Sequence, residues 1–331
     1  MAGARRASRS LAAVAAPVSI AWATTGCGIF GDDAAAPDTE PATTPEATTT
    51  TVVPAGEPTL LDPGAEPRTE LRLDLATGTE TTLAVTTDLA ITQTGGDGRR
   101  QRLDSPPITQ WITYVVTDVG PDGAEVDLEV VAAFAEAEGT GLAPEAVAAL
   151  DDALAGIVGT TGGATITDRG RVEGATFDAP DGAPSAVIDQ LDAVEAQVAA
   201  LGPPLPLEPV GVGARWEATA ATPLQGATVR TTTTYTLTSL EGGAVAYEAE
   251  IRLEADAQDL AIAGLDEGTT ARLASTSGSG TATGVQQLSD LGLELTARTE
   301  TDQEVELTDA DGTASLAQEI TTATSVRTPD P

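Results

Sequence analysis

The sequence predicts a mainly β protein of the α+β class, with large curved antiparallel sheets in two related halves and two packed helices. Threonine-rich stretches alternate apolar and polar residues with a period of two, as in residues 228–238, where Val229 and Leu237 share one parity. Turns rich in glycine and aspartate connect them, as in Gly-Pro-Asp-Gly at 120–123. Two other segments space apolar residues three and four apart, which is typical of an amphipathic helix.

The amino-terminal segment, residues 1–26, is predicted to be a signal peptide that is removed. Three arginines form a basic start, and the uncharged apolar run from Leu11 to Ile20 is shorter than the roughly 20 apolar residues of a membrane-spanning helix. The Arg5-Arg6 pair leaves two export routes open, the general secretory route and the twin-arginine route.

Cys27 is the single cysteine of the chain and directly follows the predicted signal peptide. The stretch Thr24-Thr25-Gly26-Cys27 resembles the lipobox of bacterial lipoproteins, in which a small residue precedes a cysteine that is acylated and becomes the new amino terminus. Thr24 stands where that motif usually has leucine, and the alternative is a free cysteine in an ordinary secretory signal. The resemblance implies a lipid on Cys27 that anchors the protein to the extracytoplasmic face of the cell membrane.

Residues 27–68 are predicted to be a disordered tether between this lipid and the folded part of the chain. Threonine, proline, alanine and acidic residues dominate the segment, which has almost no periodic apolar residues. The threonine and proline content leaves O-linked glycosylation of the tether open.

The first β-rich half is predicted to cover residues 69–202 and to contain both helices. Alternation predicts strands at 71–75, 108–119 and 125–131, and helical spacing predicts helices at 144–158 and 184–201. The second helix carries the clearer apolar stripe, formed by Val187, Leu191, Val194, Val198 and Leu201. We expect both helices to pack against a sheet; dimerisation through the second stripe is the alternative.

The second β-rich half is predicted to cover residues 203–331. It contains strand patterns at 228–238, 244–254, 293–307 and 313–324. The stretch TYVVTDVGPDGAEVDLEV at 113–130 and the stretch TYTLTSLEGGAVAYEAEI at 234–251 share a Thr-Tyr start, an alternating strand, a glycine turn and a second strand. This echo predicts that the halves arose by duplication; a chance likeness of two threonine-rich hairpins is the alternative.

The composition excludes several functions. The chain has 51 acidic and 16 basic residues and a formal charge of −35, which becomes −38 once three arginines leave with residues 1–26. Such a surface repels phosphate backbones, so we expect no nucleic-acid partner. All basic residues are arginine and there is no histidine. The chain therefore cannot form a Ser-His-Asp triad, a lysine Schiff base, a histidine-ligated zinc site or a P-loop. We expect no enzyme activity, cofactor or metal.

Two acidic motifs have simple structural interpretations. Asp302, Glu304 and Glu306 contain the carboxylates that a glycosidase needs, but they share one strand parity, which predicts a solvent-facing row of charges. The Asp-Ala-Asp-Gly at 309–312 resembles the start of a calcium loop. Because position 320 is Ile320, and not the glutamate of such a loop, this motif predicts a β-turn.

Two stretches carry a resemblance to a known family. GRVEGATFDAP at 170–180 follows a predicted strand, and LPLEPVGVGARWE at 205–217 follows the second helix and leads into long threonine-rich strands. Over roughly residues 69–327 this pattern resembles a family of secreted bacterial lipoproteins catalogued only as a domain of unknown function. The resemblance implies no activity. The overall plan is also similar to the curved sheet closed by a helix in periplasmic lipoprotein carriers.

Four aromatic residues are the candidate ligand-binding residues: Trp111, Tyr114, Trp216 and Tyr235. We expect a non-catalytic module whose sheet and helices enclose a site for a hydrophobic ligand. The alternative is an envelope interaction or spacer protein with an acidic surface and no ligand cavity. The expected partners are therefore the membrane, through Cys27, and a hydrophobic small molecule or an envelope protein. The oligomeric state is left open.

Overall fold

The computed structural model describes residues 56–96, 98–136, 142–180, 182–224, 227–260, 268–309 and 312–329. The predicted signal peptide, Cys27 and the tether up to residue 55 lie outside these ranges. The described residues form two helices, α1 (Pro144–Ala155) and α2 (Ser185–Ala199). They also form fourteen strands: β1 (Thr59–Asp62), β2 (Glu80–Gly95), β3 (Arg100–Asp104), β4 (Ile108–Gly120), β5 (Gly123–Ala135), β6 (Thr161–Thr167), β7 (Val172–Phe177), β8 (Arg215–Leu224), β9 (Ala227–Glu241), β10 (Ala244–Ala255), β11 (Gln258–Leu260), β12 (Thr270–Gln287), β13 (Leu293–Asp309) and β14 (Gly312–Arg327).

All these strands belong to one antiparallel sheet, which confirms the predicted mainly β fold with two helices. The order along the sheet is β1-β8-β9-β10-β12-β13-β14-β2-β4-β5-β6-β7, with β3 also beside β2 and β11 also beside β12. Strands β2 to β7 come from the predicted first half and β8 to β14 from the second. Each half therefore occupies one arm of the sheet, and the arms join where β14 pairs with β2.

The two echoing stretches form equivalent hairpins. In β4–β5 Gly120 lies opposite Gly123, and in β9–β10 Glu241 lies opposite Ala244, so each turn has two residues. Alternate residues are buried after both turns, beginning at Ala124 in β5 and at Val245 in β10. The hairpins agree in turn length and in buried parity, and duplication of the halves stays a prediction.

The main core lies where α2 covers one face of the sheet, which we call the inner face. The predicted stripe is confirmed, because Val187, Leu191, Val194 and Val198 are buried in one cluster with residues of β2, β4 and β5. Helix α1 is shorter than predicted, and its Leu154 is buried. Within the part of the chain that the structure describes, no helix is long and apolar enough to cross a membrane.

A second core joins the linker after α2 to the second arm. It contains Leu71, Leu205, Trp216 and Leu237, all of them fully buried. The buried Arg169 crosses it, because its Nη1 donates hydrogen bonds to the backbone oxygens of Leu71, at 2.7 Å, and Pro206, at 3.0 Å. This side chain fixes the segment before β2 against the linker.

The prediction that the tether extends to residue 68 is wrong. Strand β1 lies within that range and pairs with β8. Leu60 packs against the Trp216 core, and Gly64, at a φ of +73°, meets the backbone of Gly211 so closely that a Cβ would not fit. A short apolar anchor and two contacting glycines therefore order the end of a proline-rich segment.

The predicted strand at residues 71–75 is also wrong. Burial alternates as expected, with Leu71 buried and Arg72 exposed. The amides, however, bond to separate parts of the chain: Leu73 N–H donates to the Asp168 oxygen at 2.8 Å, and Asp74 N–H donates to the Leu288 oxygen at 2.6 Å. The segment is extended but has no single neighbouring strand with which to form a ladder.

Candidate functional site

Among the strand residues whose side chains the structure describes, none on the inner face of the sheet is charged. On β13, for example, Thr301 and Gln303 face inward, whereas Asp302 and Glu304 are exposed on the opposite, outer face. This separation follows from the alternation of side chains along a strand. A chain with a formal charge of −35 thus presents one extended uncharged surface. Of the acidic row predicted on β13, Asp302 and Glu304 are exposed as expected, whereas Glu306 is half-buried.

Beyond the helix-covered core, the inner face is lined by small and hydroxyl-bearing residues that are only half-buried. We call this region the threonine patch, formed by Thr87, Gly278, Gly280, Ala297, Thr299, Thr322 and Thr324. At Gly280 a Cβ would meet the backbone oxygen of Arg298 and the side chain of Thr299. Only glycine fits there, and because it has no side chain, nothing projects from the sheet at this point of the inner face.

Farther from the helices, four polar side chains form one row across β12, β13, β14 and β2. Thr276 lies opposite Gln303, Gln303 opposite Gln318, and Gln318 opposite Gln93. We call these four residues the glutamine row. Gln303 and Gln93 are 3% exposed and Gln318 is 2% exposed. Their burial puts the row among the least accessible polar groups that the structure describes.

The glutamine row holds hydrogen-bonding capacity that the described fold does not use. Both amide atoms of Gln303 and of Gln318, the Nε2 of Gln93 and the Oγ1 of Thr276 are buried without a hydrogen-bond partner. Leaving a buried polar group unpaired costs about 1–3 kcal/mol. Several adjacent unpaired groups of this kind require an explanation, which bound water or a polar ligand could supply.

Helix α2 adds two more amides to the same face. Gln190 and Gln197 are two turns apart, and both are buried. Gln197 Nε2 donates to Thr87 Oγ1 at 3.3 Å, while Gln197 Oε1 and Gln190 Nε2 have no hydrogen-bond partner. The helix therefore meets the threonine patch with a polar edge.

The structure brings two of the four predicted aromatic residues together. Trp216 is fully buried, donates from Nε1 to the Pro204 oxygen at 2.8 Å, and stacks on Tyr235 with ring centroids 5.5 Å apart. Tyr235 in turn meets Tyr247 edge-on, with centroids 5.6 Å apart. Burial raises the pKa of Tyr235 to about 12 and, together with Tyr235, raises the pKa of Tyr247. These phenols are neutral at physiological pH.

The other two predicted residues lie apart from this stack. Tyr114 is buried in the helix-covered core, where desolvation raises its pKa and its hydroxyl has no hydrogen-bond partner. Trp111 lies on the outer face of β4, half-buried, with an unpartnered Nε1. Ligand contact by all four residues stays a prediction. Sequence reasoning missed the glutamine row because only the register of four strands brings it together.

Two depressions on the surface are polar and open. One of about 520 Å³ lies at the β4–β5 and β6–β7 turns, where Arg72 pairs with Asp168 at 2.6 Å. The other, of about 370 Å³, lies on the outer face and includes Asp88, Arg298 and Glu319. Both carry charges of either sign. Among the described residues, no cluster of three or more His, Cys, Asp or Glu side chains is placed to hold a metal.

Comparisons with known proteins yield little. No protein-family model matches the chain, and no curated protein matches it. Two solved structures of OmpT, an outer membrane protein of Vibrio cholerae, align at 8% identity over 75% of this chain and 99% of theirs. The TM-scores are 0.12 for the in-vitro folded trimer form and 0.13 for a loop L8 deletion mutant. Similarities this low carry no information about the fold or function of this chain.

Proposed function

We propose that this protein is an extracytoplasmic lipoprotein, anchored to the cell membrane through Cys27, that binds a hydrophobic ligand without catalysis. One observation carries the proposal: the uncharged inner face extends beyond the helix-covered core into the half-buried threonine patch. Apolar surface removed from water stabilises a complex by about 25 cal/mol per Å². An uncharged, partly accessible face inside a strongly acidic protein is the surface on which such burial is least opposed by desolvation of charge.

The ligand site in this proposal lies on the threonine patch and not on the Trp216–Tyr235 stack. The indole N–H of Trp216 already donates to the Pro204 oxygen, and its ring already stacks on Tyr235. The patch, in contrast, has helix α2 on one side and, beyond Ile91 and Ile320, the glutamine row on the other. Both neighbours present unpartnered amides toward the same face.

One observation favours the alternative of an envelope interaction or spacer protein with no cavity. Tyr114 is packed tightly within the helix-covered core, and 21 buried residues fill that end of the inner face. In that function the exposed acidic outer face would meet other proteins. A protein of this kind would purify without any bound lipid.

Native mass spectrometry with organic extraction tests the proposal on the processed full chain, extracted from membranes of a lipoprotein-processing host. We expect one co-purifying hydrophobic molecule per chain in addition to the covalent lipid. The substitution Thr322→Trp fills the threonine patch, so we expect this variant to purify without the hydrophobic molecule. Thr321→Trp is the matched control, because this neighbouring residue is half-buried on the outer face. A wild-type chain that carries no extra molecule, also after incubation with envelope lipids, would refute ligand binding.

A further inference from the structure

We infer that the glutamine row recognises the headgroup of the ligand, and that the ligand is an uncharged amphiphile whose head carries hydroxyl or amide groups. This inference rests on the proposed function and specifies its ligand class. It is carried by the register, burial and unpartnered amides of Gln93, Gln303 and Gln318.

The spacing of the row suits a small polyol or amide head. Neighbouring strands lie about 4.8 Å apart, so three successive glutamines span about 10 Å. Each amide offers two donor hydrogens and an acceptor oxygen. The row continues to the exposed Gln101 of β3, which lies opposite Gln93. One end of the row therefore reaches solvent.

The surroundings of the row disfavour a charged head. No described strand residue of the inner face is an arginine, so a phosphate or carboxylate there would be buried without a counter-charge, which is strongly unfavourable. Apolar residues flank the row on both sides, with Ile91 and Ile320 toward the helices and Leu273 and Val305 away from them. These residues are suited to contact the apolar part of an amphiphile.

A competing account is that the glutamines bond to one another as a structural ladder. The two accounts predict opposite effects of a substitution at Gln318, which lies in the middle of the row. Methionine keeps the length of the side chain but removes its donors and its acceptor. In a recognition site Gln318→Met should weaken binding of the head without lowering the melting temperature, because no internal bond is lost. In a ladder it should lower the melting temperature and leave binding unchanged.

Three probes with the same oleoyl chain separate the headgroup classes: glycerol monooleate, methyl oleate and oleate. We measure their dissociation constants by calorimetry, and the melting temperatures, on the processed full chain. The wild type is expected to bind glycerol monooleate more tightly than methyl oleate, and oleate most weakly. Gln318→Met should weaken the binding of glycerol monooleate by about 3- to 10-fold, which is the effect of one hydrogen bond, and should leave the binding of methyl oleate unchanged. Glu319→Gln, an exposed outer-face change, should alter none of the three.

The inference is overturned if the three probes bind equally, if oleate binds best, or if Gln318→Met lowers the melting temperature with selectivity intact. Binding of none of the three probes to a chain that still co-purifies with a lipid also overturns the inference and leaves the proposed function standing. A chain that binds neither probe nor lipid refutes both.

Discussion

Replacing Trp216 by phenylalanine removes a hydrogen bond and volume from the core that joins the linker to the second arm. The indole N–H donates to the buried Pro204 oxygen at 2.8 Å, and the side chain is fully buried. Leaving that carbonyl unpaired costs about 1–3 kcal/mol. A lost ring volume of about 40 Å³, at about 24 cal/mol per Å³ of cavity, adds about 1 kcal/mol. We expect Trp216→Phe to lower the free energy of unfolding by about 3 kcal/mol.

Equilibrium urea unfolding, followed by far-ultraviolet circular dichroism, measures this change. Trp111→Phe is the matched control, because Trp111 is half-buried and its Nε1 has no hydrogen-bond partner. We expect it to cost about 1 kcal/mol or less, since it breaks no hydrogen bond. Equal losses in the two variants, or a loss below about 1 kcal/mol for Trp216→Phe, would show that the bond to Pro204 does not hold the linker in place.

Two further predictions concern α2 and the turn after it. Glu195 is half-buried and accepts a hydrogen bond from the Phe177 N–H at 2.7 Å; burial raises its pKa above the ordinary 4.5. Above pH 4.5 the folded protein therefore keeps a proton that the unfolded chain loses. We expect the free energy of unfolding of the wild type, relative to that of Glu195→Gln, to fall as pH rises from 4.5 through the folded pKa. Urea unfolding curves recorded at several pH values measure this difference. A pH-independent difference would contradict this. A Cβ at Gly211 would collide with the Ala65 backbone, so Gly211→Ala should lower the melting temperature by several degrees, whereas Gly163→Ala, where a Cβ has ordinary contacts, should change it little.

Apart from residues 71–75, the segments with clear local patterns form the elements that those patterns predict. Helix α2 appears with its predicted stripe buried, because its apolar spacing and its flanking prolines and glycines agree. Strand β12 escaped prediction as a full strand. Its sequence TARLASTSGSGTATGVQQ contains few apolar residues to mark an alternation, and its place is set by β10 and β13 on either side. Pairing with these two neighbouring strands determines the strand conformation of β12, because its local sequence has little strand propensity.

The candidate site could not be predicted from the sequence for a related reason. Gln93 lies more than 200 positions from Gln303 and Gln318, and none of the three stands in a recognisable motif. They become neighbours because β14 closes the second arm onto β2 in one register. Aromatic residues were the more conspicuous candidates, but Trp216 and Tyr235 stack on each other within the core. The sequence shows which residues are aromatic, but it does not show which of them pack together in the core.

Photoaffinity mapping tests the central claim, an uncharged ligand on the inner face, most directly. The processed full chain is irradiated with a diazirine analogue of glycerol monooleate, and the labelled peptides are identified by mass spectrometry. We predict labels on inward-facing residues of β12, β13 and β14, near Gly280, Thr299 and Thr322, that excess unlabelled glycerol monooleate suppresses. Labels confined to the outer face, or labelling that the competitor does not reduce, would contradict the account.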